Sequence, residues 1–200
     1  MGSKVEIGEP IIIDSFLHEQ DFNAVRGVVM SNAMKWKFSN AVREGDKEDG
    51  NFQFTHRLFC DHQIQSESFW DIMPPVLYGL GAVSLIDAKI NLQTASDIRK
   101  IKGFHTDIPN TSSHRTAVFC FSTCNGATLF KDSKREVESV QNRLIDFSGG
   151  VVHTGIGQTD TVSRVILNIN YYPHDKRVFG PAVKPLSEAI SEIQNISERL

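Results

Sequence analysis

The residues able to do chemistry fall into two short stretches and one arginine. Gly103-Phe104-His105-Thr106-Asp107 sets an imidazole and a carboxylate two positions apart. Side chains alternate along a strand, so His105 and Asp107 are expected to point one way and Thr106 the other. Asn142-Arg143-Leu144-Ile145-Asp146-Phe147 then runs into Ser148-Gly149-Gly150, and the chain returns through Val151 and Val152 to His153. An antiparallel return across that Gly-Gly turn can bring His153 beside His105 and Asp107. Two histidines and one carboxylate on one face of a metal ion leave its other positions open, a facial set that suits non-haem Fe(II). Arg164 opens the segment Arg164-Val165-Ile166-Leu167-Asn168-Ile169-Asn170-Tyr171. Val165, Leu167, Ile169 and Tyr171 form one apolar face; Arg164, Ile166, Asn168 and Asn170 form the other. A guanidinium leading the less apolar face points to an interior that binds an anion. A carboxylate fits best, because the guanidinium fork offers two parallel charge-assisted hydrogen bonds.

Positioning these groups requires a scaffold of short antiparallel strands, and the middle of the chain has that pattern. Segments 84–94, 116–122, 127–130, 142–147, 151–154 and 162–172 are rich in Val, Ile, Leu, Phe and Thr and are separated by Gly, Asn, Asp and Ser clusters. Ahead of them, Ile11 to Ile13 is a short β-branched run, and Asp14-Ser15 is a plausible helix start. Phe22, Val25, Val28, Val29, Ala33 and Met34 follow helical spacing from Glu19 to about Trp36. A second helix is expected over Glu67 to Leu80, kinked at Pro74-Pro75. Residues 43–50 form a charged loop that could cover the mouth of a site. Leu186, Ala189, Ile190, Ile193, Ile196 and Leu200 make an amphipathic stripe for a closing helix over 186–200. Helices, then strands, then one helix predict a mainly β fold with flanking helices, a jelly roll or cupin-like barrel.

Composition narrows the class. With 200 residues, 40% of them apolar and 22% charged, the chain reads as one globular domain over 1–200. Helical support occupies about 10–80, the β core about 84–173 and the closing helix about 186–200. A net charge of −3 argues against holding nucleic acid by charge alone. The three cysteines, Cys60, Cys120 and Cys124, contain no CxxC pair and suit a reducing compartment. No apolar stretch approaches membrane-spanning length and no signal peptide is visible, so a soluble cytoplasmic protein is expected. Asn110-Thr111-Ser112 and Asn195-Ile196-Ser197 match the glycosylation triplet by chance in that setting.

Taken in order, HTD at 105–107, NRLIDF at 142–147, His153 and Arg164 resemble the Fe(II)/2-oxoglutarate-dependent dioxygenases, and within them the prolyl 4-hydroxylase-like branch. Ile11–Leu17, Lys89-Ile90-Asn91-Leu92 and Asn125-Gly126-Ala127-Thr128-Leu129-Phe130 are looser similarities, and the resemblance spans roughly 10–173. It implies a double-stranded β-helix with Fe(II) held by His105, Asp107 and His153. It also implies 2-oxoglutarate on that iron with its far carboxylate on Arg164, O2 as oxidant, and ascorbate as a further candidate. The expected reaction is hydroxylation of a C–H bond, with release of succinate and CO2. The expected substrate is a prolyl or other peptidyl side chain or a small metabolite.

Several positions depart from the family pattern. Ile166 stands where many relatives carry Ser. Asn91 and Gln93 lie where the branch often has a tyrosine; they share a strand face and are assigned to the co-substrate or substrate. Asp107 keeps the carboxylate that halogenating relatives replace. Asn170 stands where nucleic-acid demethylases place a second arginine, which argues against a nucleic-acid substrate.

Other readings of the same residues have less support. His114 competes as a ligand but has Thr116 where a carboxylate would be needed, so a turn or substrate-mouth role suits it better. Arg143 competes with Arg164 as anion binder but precedes the metal histidine and suits an ordering role in the turn. Asp61-His62 and His174-Asp175 are adjacent pairs, which a strand sends to opposite faces. His18 and His56 have no partner visible in the sequence, and Cys120 and Cys124 suit core or turn positions. A cupin-like metal dioxygenase or isomerase without 2-oxoglutarate is the alternative function, and it leaves Arg164 without a task. A metal-free binding module would not need the HxD…H set. The partner expectations are no membrane and either a monomer or a homodimer, with 186–200 as the candidate contact. Loops 36–55, 94–102 and 108–115 are expected to choose the substrate.

Overall fold

A computed structural model describes residues 9–40, 52–109, 113–174 and 184–197. The charged loop 43–50, parts of the loops 36–55 and 108–115, and the last three residues of the closing helix lie outside them.

Two antiparallel sheets carry the fold. The larger contains β1 (Ile11–Ile13), β2 (Lys37–Ser39), β3 (Gln53–Cys60), β4 (Gln63–Ile64), β5 (Ala82–Thr94), β6 (Arg115–Cys120), β9 (Leu144–Ser148) and β11 (Ser163–Pro173). Its order is β1-β9-β6-β11-β5-β3-β2, with β4 paired to β3. The smaller contains β7 (Cys124–Phe130), β8 (Glu136–Ser139) and β10 (His153–Ile156), in the order β10-β7-β8. Residues 101–105 extend the smaller sheet without forming a regular strand. Ile101 bridges Ile156 and His105 bridges His153, both antiparallel, on the free side of β10. Main-chain bonds from Lys102 to Gly155 (3.1 Å) and from Gly157 to Lys100 (2.9 Å) complete that edge.

Alternation along β11 decides where the cores sit. Val165, Leu167, Ile169 and Tyr171 pack with Phe16, Phe22, Val25, Ile72, Met73 and Val76 beneath α1 (Glu19–Val29) and α2 (Phe69–Leu80). Ile166, from the opposite face, joins Val118, Cys120, Ile145 and Phe147 of the large sheet with Phe130 and Val137 of the small one. The second cluster therefore lies between the sheets. This is the expected mainly β architecture, a double-stranded β-helix with flanking helices; α3 (Leu186–Ser197) is the third helix. No helix among the described residues is long and apolar enough to cross a membrane.

Several boundaries differ from the sequence reading. The first helix ends at Val29, short of Trp36, and Met34 is instead buried after a turn in which its N–H donates to Ser31 O (3.3 Å). Ser31 and Asn32 favour such turns over helix continuation. Its N-cap is His18, whose Nδ1 accepts from Gln20 N at 3.3 Å, and not Asp14-Ser15. Strands β2, β3, β4 and β8 were not expected. In β3, Gln53 and His56 are buried polar residues and the register shifts between Arg57 and Phe59, so no clean apolar alternation shows in the sequence. The residues around HTD are not a strand. They form a loop tied down by the His105–His153 bridge.

Candidate metal centre and anion pocket

The Gly-Gly turn after β9 ends in His153, whose N–H donates to His105 O while His105 N–H donates to His153 O, each at 2.9 Å. The two histidines thus face each other as a hydrogen-bonded antiparallel pair, with ring centroids 4.8 Å apart. Each ring is oriented by the same local device. His105 Nδ1 lies 3.0 Å from Gly103 O and His153 Nδ1 lies 3.1 Å from Val151 O. A carbonyl only accepts, so Nδ1 carries the proton in the neutral ring and Nε2 presents a lone pair. Both Nε2 atoms face Asp107, at 3.5 Å to Oδ1 for His105 and 3.9 Å to Oδ2 for His153.

One ligand atom from each of His105, Asp107 and His153 lies within 4.8 Å of the others. Burial alone would raise the pKa of Asp107. When the histidines also carry a proton on Nε2, the hydrogen bond from His105 and the charges of both rings, with the Asn168 amide, outweigh it and hold the carboxyl well below the usual range. Burial pushes His153 down; His105 adds to this, while Asp107 and the Val151 carbonyl oppose it. Asp107 is thus held as the carboxylate and His153 is pushed towards its neutral ring, the forms that bind a metal. Two imidazoles and one carboxylate fit a divalent first-row ion such as Fe(II).

The triad opens into a cavity of about 450 Å³ that also contains Asn91, Gln93, Thr128, Arg164, Ile166, Asn168 and Asn170. Arg164 is only 1% exposed, and its Nε and Nη2 have no hydrogen-bond partner among the described residues. Burial works against its charge and lowers its pKa. Asn91 Oδ1 and Gln93 Oε1 are likewise buried without partners, and Gln93 sits opposite Arg164 in the β5–β11 register. A buried guanidinium with open donors is costly unless an anion occupies the site. The fit to a carboxylate-bearing co-substrate rests on that open fork. Gly126 makes room for it, since a Cβ there would lie 2.8 Å from Arg164 Cδ and 3.1 Å from Ile156 O.

The competing residues lie elsewhere. Arg143 pairs with Asp14 through Nε (2.6 Å) and Nη2 (2.9 Å), outside the cavity. His114 is 1% exposed and does not line the cavity, so it has no place at the mouth; it lies in the bend before β6, where its carbonyl accepts from Gly149 N at 2.9 Å. Its ring lies against Gly149, where a Cβ would fall 2.1 Å from Nε2. His56 has two partners, Lys35 O (2.7 Å) and Ser66 Oγ (2.9 Å). Cys120 and Cys124 are buried, as expected of core residues. The sequence reading missed Asn168, whose Nδ2 donates to Asp107 Oδ2 at 3.2 Å. Its place on the Arg164 face of β11 was the available signal. Charged groups also line the cavity, among them Lys89, Lys102 and the Arg57–Asp87 ion pair (2.8 Å).

No protein-family model matches the sequence, and no curated protein matches it. Solved structures do match in fold. A prolyl hydroxylase from Trichoplax adhaerens, in complex with a hypoxia inducible factor oxygen degradation domain peptide fragment, is 12% identical with a TM-score of 0.59, covering 82% of this chain and 83% of that one. The epimerase SnoN from nogalamycin biosynthesis, in complex with Fe3+, α-ketoglutarate and nogalamycin RO, is 11% identical with a TM-score of 0.55, covering 88% of each chain. A 2OG-Fe(II) oxygenase family oxidoreductase from Burkholderia pseudomallei is 12% identical with a TM-score of 0.53, covering 76% and 81%. The chain has the fold of the 2OG-Fe(II) oxygenases.

Proposed function

We propose that this protein is an Fe(II)- and 2-oxoglutarate-dependent oxygenase that hydroxylates a C–H bond. The observation that carries the reading is the open, buried guanidinium of Arg164 in the same cavity as His105, Asp107 and His153. His105 Nε2, His153 Nε2 and Asp107 would hold the iron, and Arg164 would pair with the far carboxylate of 2-oxoglutarate. When bound, iron with 2-oxoglutarate and O2 supplies the oxidation: the co-substrate becomes succinate and CO2, and one oxygen atom enters the substrate C–H bond.

The residues of this chain supply placement and exclusion of water. The backbone pair between His105 and His153 fixes two ligands without relying on flexible side chains. The apolar side chains of Val118 and Ile166 line one wall between the anion end and the metal end. Asn91 Oδ1 and Gln93 Oε1 would accept from an N–H or O–H of the substrate, because 2-oxoglutarate has no hydrogen to donate to them, and the co-substrate's oxygens would call on their amide nitrogens instead. Among substrates, a polar small molecule fits the lining better than a prolyl ring. Among the described residues the cavity presents Arg57, Asp61, Asp87, Lys89 and Lys102 and no Phe, Tyr or Trp.

Anaerobic addition of Fe(II) and then 2-oxoglutarate tests the assignment. A visible metal-to-ligand charge-transfer band is expected only after the second addition. Bound iron with no band would replace this reading with a cupin-like metal enzyme that does not use 2-oxoglutarate.

A further inference from the structure

We infer that Asn168 is a positioning residue that ties up one oxygen of Asp107 and so reserves the other, Oδ1, for the metal. The inference rests on the metal site proposed above and concerns a side chain outside the ligand set. Three hydrogen bonds run in one direction along the inner face of the large sheet. Thr116 Oγ1 donates to Asn170 Oδ1 at 2.8 Å, Asn170 Nδ2 donates to Asn168 Oδ1 at 3.3 Å, and Asn168 Nδ2 donates to Asp107 Oδ2 at 3.2 Å.

The direction of this chain follows from the chemistry of its ends. A carboxylate accepts and cannot donate, so the Asn168 amide must present its nitrogen to Asp107. Its oxygen then faces Asn170, which must present its own nitrogen, leaving the Asn170 oxygen for the Thr116 hydroxyl. Each amide is fixed by its neighbour, and the last donor in the row is aimed at the carboxylate. Thr116 is fully buried and Asn170 is 3% exposed, so water competes little for these bonds.

The consequence concerns ligation. HTD lies in a loop, and a carboxylate there is free to turn and offer both oxygens. The Asn168 amide bond to Oδ2 fixes the plane of the carboxylate, and Oδ1, 3.5 Å from His105 Nε2, is the oxygen that this bond leaves for the ion. Partners of this kind orient ligands, and their loss typically weakens metal affinity by about 10–100-fold.

The test compares Asn168→Leu, Asn170→Leu and Thr116→Val, each close in shape but unable to continue the chain. Two quantities are read: Co(II) affinity with its visible absorption spectrum, and thermal unfolding of the metal-free protein. Co(II) affinity is expected to fall about tenfold or more in Asn168→Leu, with an altered spectrum. Smaller losses should follow in Asn170→Leu and Thr116→Val. Thermal unfolding should rank the variants the other way, because Thr116 and Asn170 are the more buried. Asn168→Ser, which is polar but too short to span the gap, carries the same criterion if leucine prevents folding. Wild-type affinity and an unchanged spectrum in the Asn168 variants would overturn the inference. So would Co(II) losses that follow the thermal ranking. A wild-type protein that binds no Co(II) would instead remove the metal site itself, and the inference with it.

Discussion

His105 and His153 exchange both of their main-chain hydrogen bonds, N to O at 2.9 Å in each direction. The backbone therefore sets the spacing of the two imidazoles, and removing one ring leaves the bridge intact. His153→Ala is expected to fold with a near-normal melting temperature yet lose metal affinity by roughly 100-fold or more, beyond what loss of an outer-shell partner costs. His114→Ala should bind metal within about twofold of wild type, since His114 lies outside the ligand set. Titration of both variants with Fe(II) or Mn(II) decides the matter, and equal losses would redraw the ligand set.

Arg164 makes opposite predictions for the free and loaded protein. Its Nε and Nη2 are buried and have no partner among the described residues, a cost of about 1–3 kcal/mol or more for a charged group. Arg164→Met keeps the bulk of the stem and removes the charge, so the ligand-free protein should become more stable by about 1–3 kcal/mol. Affinity for 2-oxoglutarate should fall by about 2–5 kcal/mol, with metal binding retained. Melting curves with and without 2-oxoglutarate show both effects, and a destabilised ligand-free variant would contradict the account.

Much of the site was legible because β11 obeys a period of two. Arg164, Ile166, Asn168 and Asn170 face the cavity, while Val165, Leu167, Ile169 and Tyr171 face the helices, as the alternation predicted. His105 and Asp107 converge through a loop pinned to β10, and a strand's alternation plays no part. What stayed hidden was polar and non-local. The inward side of β3 uses Gln53 and Arg57 to line the cavity, so apolar periodicity could not reveal it. Asn168 shares no sequence neighbourhood with Asp107, and only the fold shows that they touch.

Gly126 limits the space beside Arg164. Its added Cβ would meet Arg164 Cδ at 2.8 Å, Ile156 O at 3.1 Å and Gln158 Cβ at 3.2 Å. The backbone oxygen cannot easily yield, so the arginine stem must move. Overpacking of this kind costs about 1–3 kcal/mol. Gly126→Ala should weaken 2-oxoglutarate binding while sparing the metal, because His105, Asp107 and His153 lie outside these contacts. Metal and co-substrate titrations on the same sample separate the two effects; matched losses would place Gly126 in the general fold and not beside Arg164.

Asp146 anchors the NRLIDF segment beneath the helices. It is fully buried, and it takes Arg115 Nη2 at 2.7 Å and Nε at 2.8 Å on Oδ2 and the Tyr171 hydroxyl at 3.0 Å on Oδ1. Breaking a buried pair by removing one partner costs about 3–5 kcal/mol. Arg115→Ala should approach that cost because it takes the paired guanidinium away from a fully buried carboxylate, whereas Tyr171→Phe should cost only about 1 kcal/mol. Denaturant unfolding at neutral pH measures the two, and a larger loss for Tyr171→Phe would reverse this ranking.

Asn142 joins the β-helix to the entrance of the first helix. Its backbone has φ of 60°, a left-handed value that asparagine tolerates better than most residues. Its Oδ1 accepts from Leu17 N and its Nδ2 donates to Leu17 O, both at 2.9 Å, while its own carbonyl accepts from Phe16 N at 2.9 Å. Two substitutions separate conformation from bonding. Asn142→Gly keeps the left-handed backbone and loses only the side-chain bonds, for about 1–3 kcal/mol. Asn142→Ala loses the same bonds and also holds a Cβ in the left-handed region, adding about 1–2 kcal/mol. Alanine should therefore be the less stable in equilibrium unfolding. Equal losses would mean that the Leu17 bonds, and not the backbone conformation, account for the whole effect.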